Sequence, residues 1–240
     1  MTLDILAIGA HPDDVELGCG GTLAQAAMAG RRVGILNLTA GEAGTRGTVE
    51  ERRREAENAA AALGAATLDW LDLGDGSLRH GPTEEDALIA LLRRLKPELV
   101  LGPTPADRHP DHGRAHALVA AACYYAGLAK RGPGGPPHRP AAVFSYMQHD
   151  AFEVSFVVDV TAGWPKKVAA LDAYVSQIHQ PGTKKEGPVT KVSTEDFRLG
   201  MEGRARHFGQ LIGATFGEPF WSRAPLAVAD PMLLLPGGVR

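Results

Sequence analysis

Apolar positions along the chain fall into short runs that alternate with stretches of helical spacing. Leu3–Gly9 (LDILAIG), Val33–Leu38, Thr67–Leu71 and Glu98–Gly102 (ELVLG) have the length and content of strands. Between them, Gly21–Ala29, Val49–Leu63 and Glu84–Leu95 repeat their apolar residues at helical spacing. Thr48 and Glu51 form a capping-box pattern ahead of the second of these stretches, and Thr83 with Asp86 a weaker one ahead of the third. The βαβαβαβ rhythm predicts a parallel sheet with helices on both faces. A long Ala-rich helix is expected at about Gly113–Ala129, then a Pro/Gly loop at Arg131–Pro140. Two more strands (Ala142–Tyr146, Ser155–Val160) and helices from about Trp164 to Ile178 and Thr194 to Ile212 follow. Between those helices, Gln180–Lys191 is polar and rich in Gly and Pro, and reads as a mobile surface loop near the mouth of a site. The organisation expected is a single domain over residues 1–240.

Composition narrows the classes. At 240 residues, 44% hydrophobic and 22% charged, the chain has the make-up of a folded α/β protein. A net charge of −3 is the wrong sign for a general nucleic-acid binder. Asp4 interrupts the apolar start with no basic segment before it, so no signal peptide is expected, and no apolar run approaches the roughly 18–20 residues of a membrane span. Cys19 and Cys123 are too few for a disulfide framework. These features point to a cytoplasmic enzyme or binding protein.

The chemistry is concentrated in two places. The first strand runs into Ala10-His11-Pro12-Asp13-Asp14, and the fourth exits through Asp107-Arg108 into His109-Pro110-Asp111-His112. In an open parallel sheet, ligands gather beyond the carboxyl ends of the strands, so both clusters are delivered where a site is expected. If the two strands share one sheet, the clusters can converge on one ion. Imidazole and carboxylate suit Zn²⁺, although Fe²⁺ or Co²⁺ can occupy such a site. A catalytic zinc takes about three protein ligands, and six candidates are present: His11, Asp13, Asp14, His109, Asp111 and His112. The surplus fits amide hydrolysis, which also needs a base for the attacking water and an acid for the leaving amine. Spacing leaves the ligand subset open. It implies only that one of the adjacent Asp13 and Asp14 ligates while the other faces the water. The bland alternative, that these are turn and helix-capping residues, is far less attractive for two clusters at matching strand ends than for one.

At these residues the sequence resembles the PIG-L/LmbE superfamily of zinc-dependent N-acetylglucosaminyl deacetylases, whose hallmarks are A-H-P-D-D after the first strand and H-x-D-H further on. The resemblance extends over nearly the whole chain. It implies a Rossmann-like three-layer sandwich, His11, Asp14 and His112 as zinc ligands, Asp13 as general base, His109 as oxyanion stabiliser and acid, and Asp111 as the carboxylate orienting His109. Within the superfamily, Gly44–Thr48, Tyr146–Asp150, Phe156–Val160, Arg204–Ile212 and Glu218-Pro219-Phe220 look like the bacillithiol-biosynthesis branch, which acts on N-acetylglucosaminyl-malate. That likeness assigns Arg52 and Arg108 to the substrate, and guanidinium suits a dicarboxylate. It also implies homo-oligomers, often trimer-based hexamers, working on a small amino-sugar substrate without nucleic acid or membrane. Deacetylation of another GlcNAc compound, such as a chitobiose or a mycothiol-like precursor, and non-catalytic metal or sugar binding are the alternatives.

The remaining tempting residues have plainer readings. Gly18-Cys19-Gly20-Gly21 lacks the dinucleotide fingerprint and is better explained by close helix–sheet packing. Cys19 reads as a small buried residue and His116 as structural. Arg53 and Arg54 fit a solvated face interleaved with glutamates, and Trp164 and Trp221 fit packing. His149 and His179 are open between pocket and loop roles.

Overall fold

The alternating pattern becomes one mixed sheet in the computed structural model, which describes residues 2–180, 182 and 188–234. Its strands are β1 (Ile5–Gly9), β2 (Val33–Asn37), β3 (Thr67–Trp70), β4 (Leu99–Gly102), β5 (Ala142–Tyr146), β6 (Phe156–Asp159) and β7 (Gly217–Ser222), in the spatial order β3-β2-β1-β4-β5-β7-β6. The first five in that order are parallel, and β7 runs antiparallel between β5 and β6. Side chains alternate across each strand, so β1 sends Leu6 and Ile8 to one face and Ala7 to the other. Leu6 and Ile8 pack with the helices α3 (Pro82–Leu95) and α4 (Pro110–Ala126). The other face is covered by α1 (Asp14–Met28), α2 (Val49–Leu63), α5 (Trp164–Ala173) and α6 (Glu195–Leu211). The fold is thus the three-layer α/β arrangement that the sequence implied. Among the described residues, no helix is long and apolar enough to cross a membrane.

Several boundaries depart from the sequence pattern. The α2 range and its capping box are as expected: Glu51 N donates to Thr48 Oγ1 and Thr48 N to the Glu51 carboxylate. At α3, the helix instead starts from Gly81, with Pro82 in its first turn and no side-chain cap. Thr83 lies inside the helix, while Asp86 and Glu85 pair with Arg131. The helix expected to run from Trp164 to Ile178 ends at Ala173. Half of the Gln180–Lys191 loop, residues 181 and 183–187, lies outside the described residues. The strand β7 had no expectation at all, because Gly217 and Pro219 are poor strand residues.

The largest difference is α1, which begins at Asp14 rather than Gly21. Its first turns hold Gly18, Cys19, Gly20 and Gly21, poor helix formers that hide the helix from a propensity reading. At Cys19 the backbone leaves helical geometry (φ −143°, ψ 19°). Glu218 on β7 repairs the break: Gly21 N and Thr22 N donate to its carboxylate at 2.9 and 2.7 Å. Lys167 of α5 closes the arrangement, donating to Glu218 Oε1 at 2.6 Å and to Leu17 O at 2.8 Å. Gly18 is required here, since a Cβ would sit 2.1 Å from the Tyr146 ring. The Lys167–Glu218 pair is fully buried, and removing one member of a buried pair leaves the other charge stranded. Lys167→Met is therefore expected to lower the unfolding free energy by about 3 kcal/mol or more, read as a reduced urea midpoint. A wild-type midpoint would show that the pair contributes nothing.

Candidate metal centre and active site

Strands β1 and β4 are hydrogen-bonded neighbours, with Ile5 opposite Leu99 and Ala7 opposite Leu101. From them the chain departs in opposite directions, β1 toward β2 and β4 toward β5, which opens a crevice at their carboxyl ends. Both sequence clusters empty into it. From β1 the chain turns through His11 and Pro12 to Asp13, whose backbone is left-handed (φ 96°, ψ −22°). That region is costly for most side chains and tolerated by Asp and Asn. From β4, His109 caps α4: Asp111 N donates to His109 Nδ1 at 3.3 Å, with Pro110 in the first turn.

The imidazoles of His11, His109 and His112 meet here, with ring centroids 4.6, 5.1 and 5.5 Å apart. One ring nitrogen from each lies within 4.8 Å of the others. Asp14 bridges two of them: Oδ2 is 3.4 Å from His11 Nδ1 and Oδ1 is 3.3 Å from His112 Nε2. Its carboxylate also accepts from His11 N at 2.9 Å and from Gln148 Nε2 at 2.6 Å. His112 and Asp14 are 2% and 3% exposed, so both are shielded from water that could satisfy them. Two buried nitrogens, His11 Nε2 and His112 Nδ1, have no aligned hydrogen-bond partner. Three imidazoles and a carboxylate converging in one buried place are a donor set that fits a divalent cation.

The electrostatics separates the two aspartates. Both lose solvation, but His112 and His11 flank Asp14 and hold its carboxyl well below the usual range. Burial pushes the Asp13 carboxyl up to about 7, with Arg52 opposing the shift and Asp14 adding to it. Asp14 is therefore a permanent anion, while Asp13 can exchange a proton near neutrality. A bound cation would draw Asp13 downward. The His109 imidazole is shifted down by burial and by the neighbouring His11 and His112. Because its Nδ1 accepts from a backbone N–H, the neutral ring carries its proton on Nε2.

The Asp111 carboxylate does not lie against His109, the residue it was expected to orient. It accepts from Arg114 at 2.9 Å and Gly76 N at 2.8 Å, and stands 3.5 Å from His11 Nε2; only its backbone N–H reaches His109. Arg52 is buried, its guanidinium donating to Gly41 O at 2.8 Å and Pro12 O at 2.9 Å, with Asp13 Oδ2 3.9 Å away. Arg108 is exposed on the loop after β4. Three residues without a role in the sequence reading also enter the site. Gln148 steadies Asp14, Asp107 stands 3.5 Å from His112 Nδ1, and Asp75 stands 3.0 Å from His11 Nε2. His149 stacks parallel to His112 at 5.9 Å, and with Gln148, Phe197 and Arg204 lines an adjoining cavity of about 420 Å³. Burial pushes the His149 imidazole down to about 4, so it is neutral at the cavity wall.

Other residues settle into structural places. His116 Nδ1 is within hydrogen-bond distance of Pro103 O (3.1 Å) and Ser145 Oγ (3.3 Å), and Cys19 and Cys123 are buried thiols. Arg53 pairs with Asp72 and lies over Trp70, while Trp164 stacks on Phe216.

The model of one protein family, PIG-L, described as GlcNAc-PI de-N-acetylase, matches residues 6–123, a stretch that contains both clusters. A diacetylchitobiose deacetylase of Thermococcus kodakarensis is 31% identical over 188 residues, covering 72% of this chain and 69% of the relative. The chain belongs to the PIG-L family. A second member of similar likeness is a 1D-myo-inositol 2-acetamido-2-deoxy-alpha-D-glucopyranoside deacetylase of Kineococcus radiotolerans, 30% identical over 72% of this chain and 68% of the relative. Among solved structures, a conserved protein of Thermus thermophilus is 38% identical and superposes with a TM-score of 0.86, covering 95% of this chain and 98% of that one. With named deacetylases among its relatives in PIG-L, this chain is an amide-hydrolysing enzyme, and its mixed α/β sheet matches that of its structural neighbour.

Proposed function

We propose that this PIG-L member is a zinc-dependent deacetylase of an N-acetylglucosamine conjugate, and that the conjugate is N-acetylglucosaminyl-malate, the bacillithiol precursor. The observation that carries the hydrolytic reading is the pairing of Asp13 with the His11–Asp14–His112 cluster. One carboxylate is held ionised among imidazoles while its neighbour is poised near neutrality on a strained backbone.

In this reading His11, Asp14 and His112 would hold the ion, which as Zn²⁺ would supply Lewis acidity and lower the pKa of water toward neutrality; Fe²⁺ or Co²⁺ would suit the same donors. Asp13 takes the proton of the attacking water. His109 directs its Nε2–H at the developing oxyanion, and the proton that Asp13 took from the water passes from its carboxyl to the leaving nitrogen. Water and amide become acetate and a free amino sugar. Asp111, through its backbone N–H, holds the His109 tautomer. Gln148 keeps Asp14 turned toward the imidazoles.

The two arginines divide their work. Arg52 is committed to the carbonyls of Gly41 and Pro12, and so fixes the turn that carries Asp13. Arg108, exposed on the loop after β4, makes no ion pair with a described residue, and in this reading it meets a carboxylate of the aglycone. Release of primary amine from N-acetylglucosaminyl-malate, GlcNAc and diacetylchitobiose tests the assignment. The malate conjugate is expected to give the highest kcat/KM. Arg108→Ala should raise KM for that substrate roughly 10-fold, the loss of one charge-assisted hydrogen bond, and leave the two uncharged substrates unaffected. Equal loss on all three would remove the acidic aglycone from the proposal. No amine from any of them with zinc loaded would remove hydrolysis.

A further inference from the structure

Asp75 lies on the β3–α3 loop, between Gly74 and Gly76, which both adopt left-handed backbone (φ 91° and 71°). Three hydrogen bonds fix this loop over the end of β1. Ala43 N donates to Asp75 Oδ2 (3.0 Å), Asp75 N to Glu42 Oε1 (2.7 Å), and Gly76 N to Asp111 Oδ2 (2.8 Å). The Asp75 side chain is 7% exposed, and its remaining oxygen, Oδ1, is 3.0 Å from His11 Nε2. That nitrogen is buried and has no aligned partner. Its other carboxylate neighbour, Asp111 Oδ2, is farther, at 3.5 Å, and already accepts from Gly76. The opposite nitrogen, His11 Nδ1, faces Asp14.

An imidazole that gives one nitrogen to a cation carries its proton on the other, and a buried N–H needs an acceptor. We propose that Asp75 is a positioning residue for the metal: it accepts the Nε2–H of His11, and so fixes the tautomer and ring orientation that turn Nδ1 toward the ion. This rests on the reading of His11 as a ligand. The acid stands between two glycines whose backbone is left-handed, and these let the chain turn there while Asp75 N and Gly76 N are both held.

Zinc affinity, measured by competition with a chromophoric chelator, tests the role. Asp75→Asn is expected to weaken zinc binding roughly 10- to 100-fold, the usual range for loss of such a carboxylate, while the melting temperature of the metal-free protein stays at the wild-type value. Unchanged affinity overturns the proposal. So does a wild-type stoichiometry of two zinc ions that falls to one in the variant, because Asp75 would then be a ligand itself. Long-range ¹H–¹⁵N spectra of zinc-loaded wild type give a check that needs no variant: His11 should be protonated at Nε2, and protonation at Nδ1 overturns the role. A wild-type protein that binds no zinc sinks the ligand reading of His11 rather than the part given to Asp75.

Discussion

Replacing His112 with alanine should abolish stoichiometric zinc binding and reduce amide hydrolysis by at least ~10³-fold, since a Lewis acid contributes several kcal/mol to such a reaction. The expectation follows from how little else could take over. His112 comes from the β4 side of the crevice and His11 from the β1 side, and Asp14 touches both. Without His112, the β4 side loses the imidazole that faces Asp14, and its remaining histidine, His109, has its Nδ1 committed to a backbone N–H. Metal content by atomic emission and amine release would both be measured, with the melting temperature as a check on folding. A His112→Ala protein that still binds one zinc per chain with wild-type affinity would remove His112 from the ligand set. Treating the wild type with a chelator should give the same loss of activity, reversed by added Zn²⁺.

The second large effect is expected at Asp13. Asp13→Asn should lower kcat by about 10²- to 10⁴-fold, the usual contribution of a positioned general base, with zinc stoichiometry and melting temperature unchanged. Asparagine is the right probe because it keeps the shape and tolerates the left-handed backbone at this position. Alanine would add backbone strain to the loss of the carboxylate and confuse the two. The discriminating result is kcat and metal content taken together. A drop in both would make Asp13 a ligand, and a wild-type kcat would transfer the base to another group.

The parallel half of the sheet was legible because its strands are short apolar runs and its helices carry clear caps and stripes, as at Val49–Leu63. What escaped was set by tertiary contact. Four residues, Gly18 to Gly21, conceal a helix whose break at Cys19 is capped by a carboxylate nearly two hundred positions away. Residues Gly217 to Ser222 form a strand against local preference because Phe220 packs with Tyr146 and Phe156 in the core. For the site, the two clusters announced themselves by residue type and by following strands. Asp75 did not, since Gly-Asp-Gly reads as an ordinary turn until the fold lays that loop over His11. The surroundings of Arg52 were hidden for a similar reason: a sequence shows a cation near the motif, whereas the structure shows both ends of its guanidinium held by carbonyls.

The Lys167–Glu218 anchorage of α1 has a consequence for how this enzyme is built. Every proposed ion-holding and proton-moving side chain lies in the first half of the polypeptide, yet the helix that opens with Asp14 is steadied by two residues from the second. Reactivity and rigidity are therefore encoded apart. A ribosome that has finished the reactive segments has not yet supplied their buttress, since Lys167 and Glu218 are made only later in the chain.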